Sequence, residues 1–300
     1  MLKLSFLVQG FCAFTVFTAP ALATAIWAVD NLGTTNAGTV GDRVIRFDSA
    51  NPLGTVVTVG ATGVSNRGLT GLDFSAAGTL YAVSGYNQDG SPFGGSQLYT
   101  INTTTGVGTL VGSTGLSGTN AITDLSWNPV TGTMQALVNA GAGSNSLYTL
   151  NLATGAATLV GTITGMSGAL GIGLSTNSAG QNFIHNLVDD RMYSLTGLVA
   201  SPMSALVGID ANFSQGMTMN WRGANEWYLG SISNTPAFAS QVRLMNNATG
   251  ATTSIVATWP NNGASGLPQY ETGDLAIAPE PGSLVLMALG AAFGLRARRR

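Results

Sequence analysis

The chain has 300 residues, enough for one large domain or two small ones. It is 45% hydrophobic and only 8% charged, with 41 glycines, a balance too apolar for disorder and suited to short strands joined by turns. From Thr24 to Ala278 there are 12 acidic residues, 6 arginines and no lysine, a net charge of −6 with no basic stripe, which excludes nucleic acid as a partner.

Residues 1–23 read as an export signal. Lys3 supplies a small positive start, Leu4 to Phe17 is mostly apolar, and Ala21-Leu22-Ala23 forms a small-residue cleavage site. Cys12 is the only cysteine and lies inside this segment. The body that follows therefore has no disulfide, thiolate nucleophile or Cys-ligated metal, and its stability must come from core burial.

Residues 24–278 contain a repeat. Leu98-Tyr99-Thr100-Ile101-Asn102 runs through Thr105-Gly106 into Thr109-Leu110-Val111-Gly112, and Leu147-Tyr148-Thr149-Leu150-Asn151 runs through Thr154-Gly155 into Thr158-Leu159-Val160-Gly161. Each copy is a strand, a turn and a strand, with Asn and Gly marking the turn because they tolerate positive φ. Weaker copies start at Val44, Met192 and Val242. Ahead of them lie two further strands. The first reads small-or-Asp, apolar, any, apolar at Gly71–Phe74, Asp124–Trp127, Gly171–Leu174 and Gly216–Met219. The second falls at Leu80–Val83, Met134–Leu137, Phe183–Asn186 and Trp227–Gly230.

Four strands in about 45–58 residues make a β-propeller blade. Four blades are complete. Ile26–Val29 has the second-strand pattern with no first strand before it, and Asp274–Ile277 has the first-strand pattern with nothing after it. Joined, the two fragments close the ring and remove its free edges. The expectation is an all-β, five-bladed propeller of four-stranded blades, closed by N- and C-terminal strands. The Leu-Tyr-x-Ile/Leu-Asn-x-x-Thr-Gly motif resembles that of secreted bacterial propeller domains, a likeness that assigns no function.

No Gly-x-Ser-x-Gly elbow, P-loop or paired-histidine motif occurs, so no catalytic residue is assigned. His185, the only histidine, falls at the second-strand position of Ala28, Ala82, Ala136 and Leu229 and reads as a packing residue. Asp124 and Asp274 share one repeat position and Asp73 lies on the same alternating face. On innermost strands the three would converge on the channel mouth, where they could hold Ca²⁺ or cap free backbone N–H groups. Trp221, Trp227, Tyr228 and Trp259 cluster in the last full blade. They form either a stacking platform for sugar rings or an inter-blade core.

The tail runs Pro279-Glu280-Pro281, then 12 apolar residues from Leu284 to Leu295, then four arginines in the last five positions. A helix of that length rises about 18 Å, short of a comfortable bilayer span. The arginines would stay on the cytoplasmic side, leaving the body outside. Residues 279–300 resemble the PEP-CTERM sorting signal. The resemblance implies recognition and removal by an exosortase, a membrane transpeptidase, in a host of Gram-negative type that often makes exopolysaccharide or biofilm. The expected protein is an exported, non-enzymatic binding or structural module at the cell surface or in the matrix, with polysaccharide as ligand. The alternative is a metal-dependent hydrolase or lyase working at the channel mouth.

Overall fold

The computed structural model describes residues 24–31, 42–64, 68–86, 95–117, 120–141, 143–166, 168, 170–206, 211–223, 225–233, 239–260 and 272–278. The leader expected at 1–23 and the tail expected at 279–300, with Pro279, Glu280 and Pro281, lie outside them. Among the described residues, no helix is long and apolar enough to cross a membrane.

Among the described residues, twenty strands form five antiparallel sheets of four. Blade 2 is β4 (Gly68–Phe74), β5 (Leu80–Tyr86), β6 (Gln97–Ile101) and β7 (Gly108–Ser113). Blade 3 is β8 (Ala121–Asn128), β9 (Thr133–Asn139), β10 (Asn145–Leu150) and β11 (Ala157–Ile163). Blade 4 is β12 (Gly171–Thr176), β13 (Asn182–Asn186), β14 (Arg191–Thr196) and β15 (Val199–Leu206). Blade 5 is β16 (Ala211–Met219), β17 (Trp227–Ser233), β18 (Ala239–Met245) and β19 (Thr252–Pro260).

Blade 1 takes its inner strand from the far end of the chain. β20 (Thr272–Ile277) pairs with β1 (Ala25–Asp30), which continues to β2 (Arg43–Asp48) and β3 (Val57–Ala61). Ile26 faces Ile277, Ala28 faces Leu275 and Val29 faces Asp274, so the two fragments complete one sheet as the sequence predicts. A short helical turn, α1 (Pro52–Thr55), lies in the β2–β3 connection, with Asn51 Oδ1 accepting from Gly54 N at 3.2 Å. The inner strands β4, β8, β12, β16 and β20 neighbour one another in a closed ring.

The repeated turn has a physical reason. Asn102 Oδ1 accepts from Thr104 N and Thr105 N at 2.8 and 3.0 Å, and Asn151 Oδ1 accepts from Ala153 N and Thr154 N at 2.9 and 3.1 Å. Each turn ends on a glycine at positive φ, 79° at Gly106 and 83° at Gly155. A Cβ on Gly106 would meet Gly60 O at 2.5 Å, and one on Gly155 would meet Gly112 O at 2.6 Å. The motif glycine thus serves two ends. It permits the turn, and it lets the turn press against the outer strand of the preceding blade.

Five apolar clusters fill the five seams between blades. Because each sheet packs on both faces, its inner strands are buried along nearly their whole length. The seam between blades 4 and 5 is rich in methionine, with Met192, Met217, Met219 and Met245 buried around Phe183 and Trp227.

Blade 4 departs from the expected register. A bulge falls between Gly171 and Gly173, so Gly173 faces His185 and Leu174 faces Ile184. Corresponding bulges precede Gly71, Asp124 and Asp274. Gly173, not Gly171, is therefore their counterpart. His185 moves one position as well. It stands opposite Met192 as Val83 stands opposite Leu98, not at the Ala82 position. His185 is fully buried, in line with a packing role, and its Nε2 lies 3.7 Å from Asp190 Oδ1.

Candidate functional site

The ring brings two of the three aspartates together. Asp124 on β8 and Asp274 on β20 are fully buried and meet side chain to side chain. Asp73 on β4 is buried but bonds elsewhere.

Each of the three carboxylates joins neighbouring blades through backbone N–H groups. Asp274 accepts from Leu275 N at 2.7 Å and, in blade 2, from Leu72 N. Asp73 accepts from Phe74 N at 2.7 Å and, in blade 3, from Trp127 N at 2.6 Å. Asp124 accepts from Leu125 N at 2.6 Å, from Leu174 N in blade 4 at 2.5 Å and from Met217 N in blade 5 at 3.3 Å. Asp42 extends the pattern, accepting from Leu69 N at 2.6 Å. The Leu72, Trp127, Leu174 and Met217 N–H groups lie on buried inner strands, and a carboxylate satisfies two or three such groups at once.

Burial sets the protonation of these groups. Desolvation pushes the Asp73 carboxyl up to about 7, against the pull of the Trp127 and Phe74 N–H groups and the Arg222 charge. Desolvation also raises Asp124 and Asp274 well above the ordinary carboxylate range, and for Asp274 the neighbouring Asp124 charge adds to it. Among the described residues, no group of three or more His, Cys, Asp or Glu side chains is placed to hold a metal ion. The trio of Asp73, Asp124 and Asp274 considered for Ca²⁺ is thus divided between backbone caps and a carboxyl pair.

One end of the channel is covered by the turn between β16 and β17. Arg222 lies over the Trp221 ring at 4.4 Å and donates from Nη2 to Ala76 O in blade 2 at 2.7 Å. Trp221, half-buried, packs on the cluster between blades 2 and 3. Under this turn a gap of about 10 Å³ remains beside Phe74 and Ile277, about one water in size.

The other aromatics of the expected platform are interior. Trp227 is 0% exposed, Trp259 is 1% and Tyr228 is 5%, so they present no stacking face. Trp259 meets Phe47 edge-on at 5.3 Å across the blade 5–blade 1 seam, and Trp227 packs against Phe183 at 5.0 Å across the blade 4–blade 5 seam. These rings fill the seams between blades, where large flat side chains pack best, and not the surface where the platform was expected.

A cleft that the sequence did not reveal opens between blades 4 and 5, with a volume of about 320 Å³. Phe183, Met203 and Met219 line its apolar part. Its polar lining comes from turns, with Asn177 and Gln181 from β12–β13, Asn225 from β16–β17 and Asn247 from β18–β19. Their only sequence signal is the preference of asparagine for turns, which hides any second role.

Fold and tail together define an exported propeller protein with a sorting signal. Residues 278–300 match the family described as the PEP-CTERM protein-sorting motif. The motif implies sorting to the cell surface by way of a membrane-held intermediate, with processing by an exosortase. No curated protein matches the chain. Among solved structures, TolB from Acinetobacter baumannii is similar with a TM-score of 0.50 at 14% identity, over 86% of this chain and 67% of that one. The periplasmic gluconolactonase PpgL from Pseudomonas aeruginosa is similar with a TM-score of 0.46 at 10% identity, over 86% of this chain and 100% of that one. A chain of a nidogen/laminin complex is similar with a TM-score of 0.47 at 12% identity, over 86% of this chain and 98% of that one. At these identities the likeness concerns the fold alone.

Proposed function

We propose that the protein is a non-enzymatic binding module of the cell surface or extracellular matrix, delivered there by an export signal at residues 1–23 and the sorting tail, with extracellular polysaccharide as its ligand. The observation that carries this reading is the use made of Asp73, Asp124 and Asp274. A hydrolase or lyase needs a carboxylate within reach of a substrate atom, as acid, base or metal ligand. Here each of the three caps inner-strand N–H groups of two or more blades. That work suits a scaffold whose recognition lies on its outer surface. The sparse, mildly acidic charge of the body also favours a neutral, hydroxyl-rich partner over an anionic one.

A glycan-array screen of the exported protein, run with Ca²⁺ and with EDTA, tests this. Selective retention of polysaccharide fragments in both conditions is the expected result. Cleavage of a fragment would overturn the non-enzymatic reading, and retention of none would remove polysaccharide as the partner.

A further inference from the structure

We infer that the cleft between blades 4 and 5 is a binding site for a short segment of neutral glycan, held by the Asn225 and Asn247 amides above a floor of Phe183, Met203 and Met219. This rests on the polysaccharide-binding reading and assigns it a site.

The cleft is preformed. Asn225 Oδ1 accepts from Ser178 N in the neighbouring blade at 3.0 Å, which ties the two walls together. Asn247 Nδ2 donates to Asn225 O at 2.7 Å and fixes the β18–β19 turn against the β16–β17 turn. These bonds occupy one end of each amide. Both residues line the cleft, and the amide nitrogen of Asn225 and the amide oxygen of Asn247 carry no hydrogen bond among the described residues, which leaves one donor and one acceptor for a ligand. A sugar hydroxyl both donates and accepts, and matches such a pair.

Met203, half-buried, gives the floor its accessible apolar surface, and the buried Phe183 and Met219 close it from below. Phe183 is held in place by Trp227 behind it, at 5.0 Å between ring centroids. The Met203 thioether offers polarizable surface that can follow the C–H face of a pyranose. No charged side chain lines the cleft among the described residues, so an anionic or cationic ligand would lose its hydration without gaining a partner. At about 320 Å³ the space is at the small end of the range for ligand clefts, roughly 300–1,000 Å³.

The test is methyl NMR of the exported protein labelled at methionine methyl groups. The probes are glucose, galactose, mannose and their disaccharides, with glucuronic acid and glucosamine as charged controls. The Met203 and Met219 signals should shift with a neutral sugar, while Met134, buried in blade 3, should not. Ala248→Trp, which fills the rim with a large ring, should abolish the response, and Gln181→Ala, which removes an exposed lining amide, should weaken it about tenfold, the worth of one good hydrogen bond. If a glycan is retained on the array but neither methionine responds and both variants bind like the parent, the site is wrong and the polysaccharide reading stands. If the methionines respond and the sugar is cleaved, the site stands and the non-enzymatic reading fails. If no glycan is retained and neither methionine responds to any probe, both are overturned.

Discussion

Asp124 and Asp274 share one position of the repeat and meet inside the channel, so the strand that closes the ring is held to blade 3 by a carboxyl pair. Two buried carboxyls in contact retain a proton between them, because two adjacent charges in a dry site repel and lack solvation. Asp124 accepts three N–H groups and Asp274 two, which makes Asp124 the better anion and Asp274 the proton holder.

This fixes the sign of the pH dependence. Asp73, Asp124 and Asp274 have folded-state pKa values raised above those of the unfolded chain. The native state then binds more protons than the unfolded state above about pH 4, and stability falls as pH rises. The stabilisation is fully present below pH 4. The Asp73 share is lost as pH climbs to about 7, and the loss from the pair continues above that. Urea unfolding midpoints measured from pH 4 to pH 9 should decrease steadily. Asp274→Asn cannot ionise and should flatten the upper part of that curve, while lowering all of it, because one oxygen that accepts a backbone N–H becomes a donor.

Gly216 has no room for a side chain. A Cβ there would lie 1.8 Å from Asp274 Oδ1 and 2.5 Å from Asp274 Cα, which is backbone and cannot swing aside. Gly216→Ala should therefore destabilise by about 3 kcal/mol, at the upper end of overpacking costs. Gly63→Ala is the control for the positive-φ glycines, since nothing lies within 4 Å of its Cβ and only its φ of 69° is strained. It should cost about 1 kcal/mol. Denaturant midpoints of the two variants decide the matter.

The buried tryptophans act through packing. Trp227→Ala and Trp259→Ala should each cost about 3–5 kcal/mol by thermal unfolding, because each empties a seam. Trp221→Ala should cost about 1 kcal/mol, since Trp221 is only half-buried, and should uncover the channel end beside Asp73. Faster hydrogen exchange at the Trp127 and Phe74 amides, both bonded to Asp73, would report that uncovering.

Ring closure can be tested by truncation. A chain ending before Thr272 lacks β20, leaving blade 1 with three strands and the Leu72 N–H without its carboxylate partner. Such a chain should lose cooperative unfolding by calorimetry, whereas one ending after Ala278 should keep it.

The ring was legible in the sequence because its rules are local. The Asn-x-x-Thr-Gly turn needs its amide and its positive φ wherever it occurs, and the complementary fragments at Ile26–Val29 and Asp274–Ile277 leave one way to pair. The register of blade 4 was not legible, because Gly171-Ile172-Gly173-Leu174 fits the first-strand pattern two residues ahead of the true counterpart, Gly173. Trp227 and Trp259 read equally as platform or core, since side-chain chemistry alone does not tell a seam from a surface. The cleft was hidden for a different reason. Asn177, Gln181, Asn225 and Asn247 come from three separate turns, and only the ring closes them around Phe183.

If this exported propeller binds without catalysis and its buried aspartates serve the fold, a glycan that it retains stays whole. The most direct test incubates the protein with the glycan it retains and follows both partners by mass spectrometry, with Ca²⁺ and with EDTA. Non-catalytic binding leaves the glycan intact in both conditions, with equal retention by the parent and the Asp73→Asn variant. Release of shortened or unsaturated products that stops in EDTA and in Asp73→Asn would contradict it, and would place a metal-dependent reaction at the channel end that Trp221 covers.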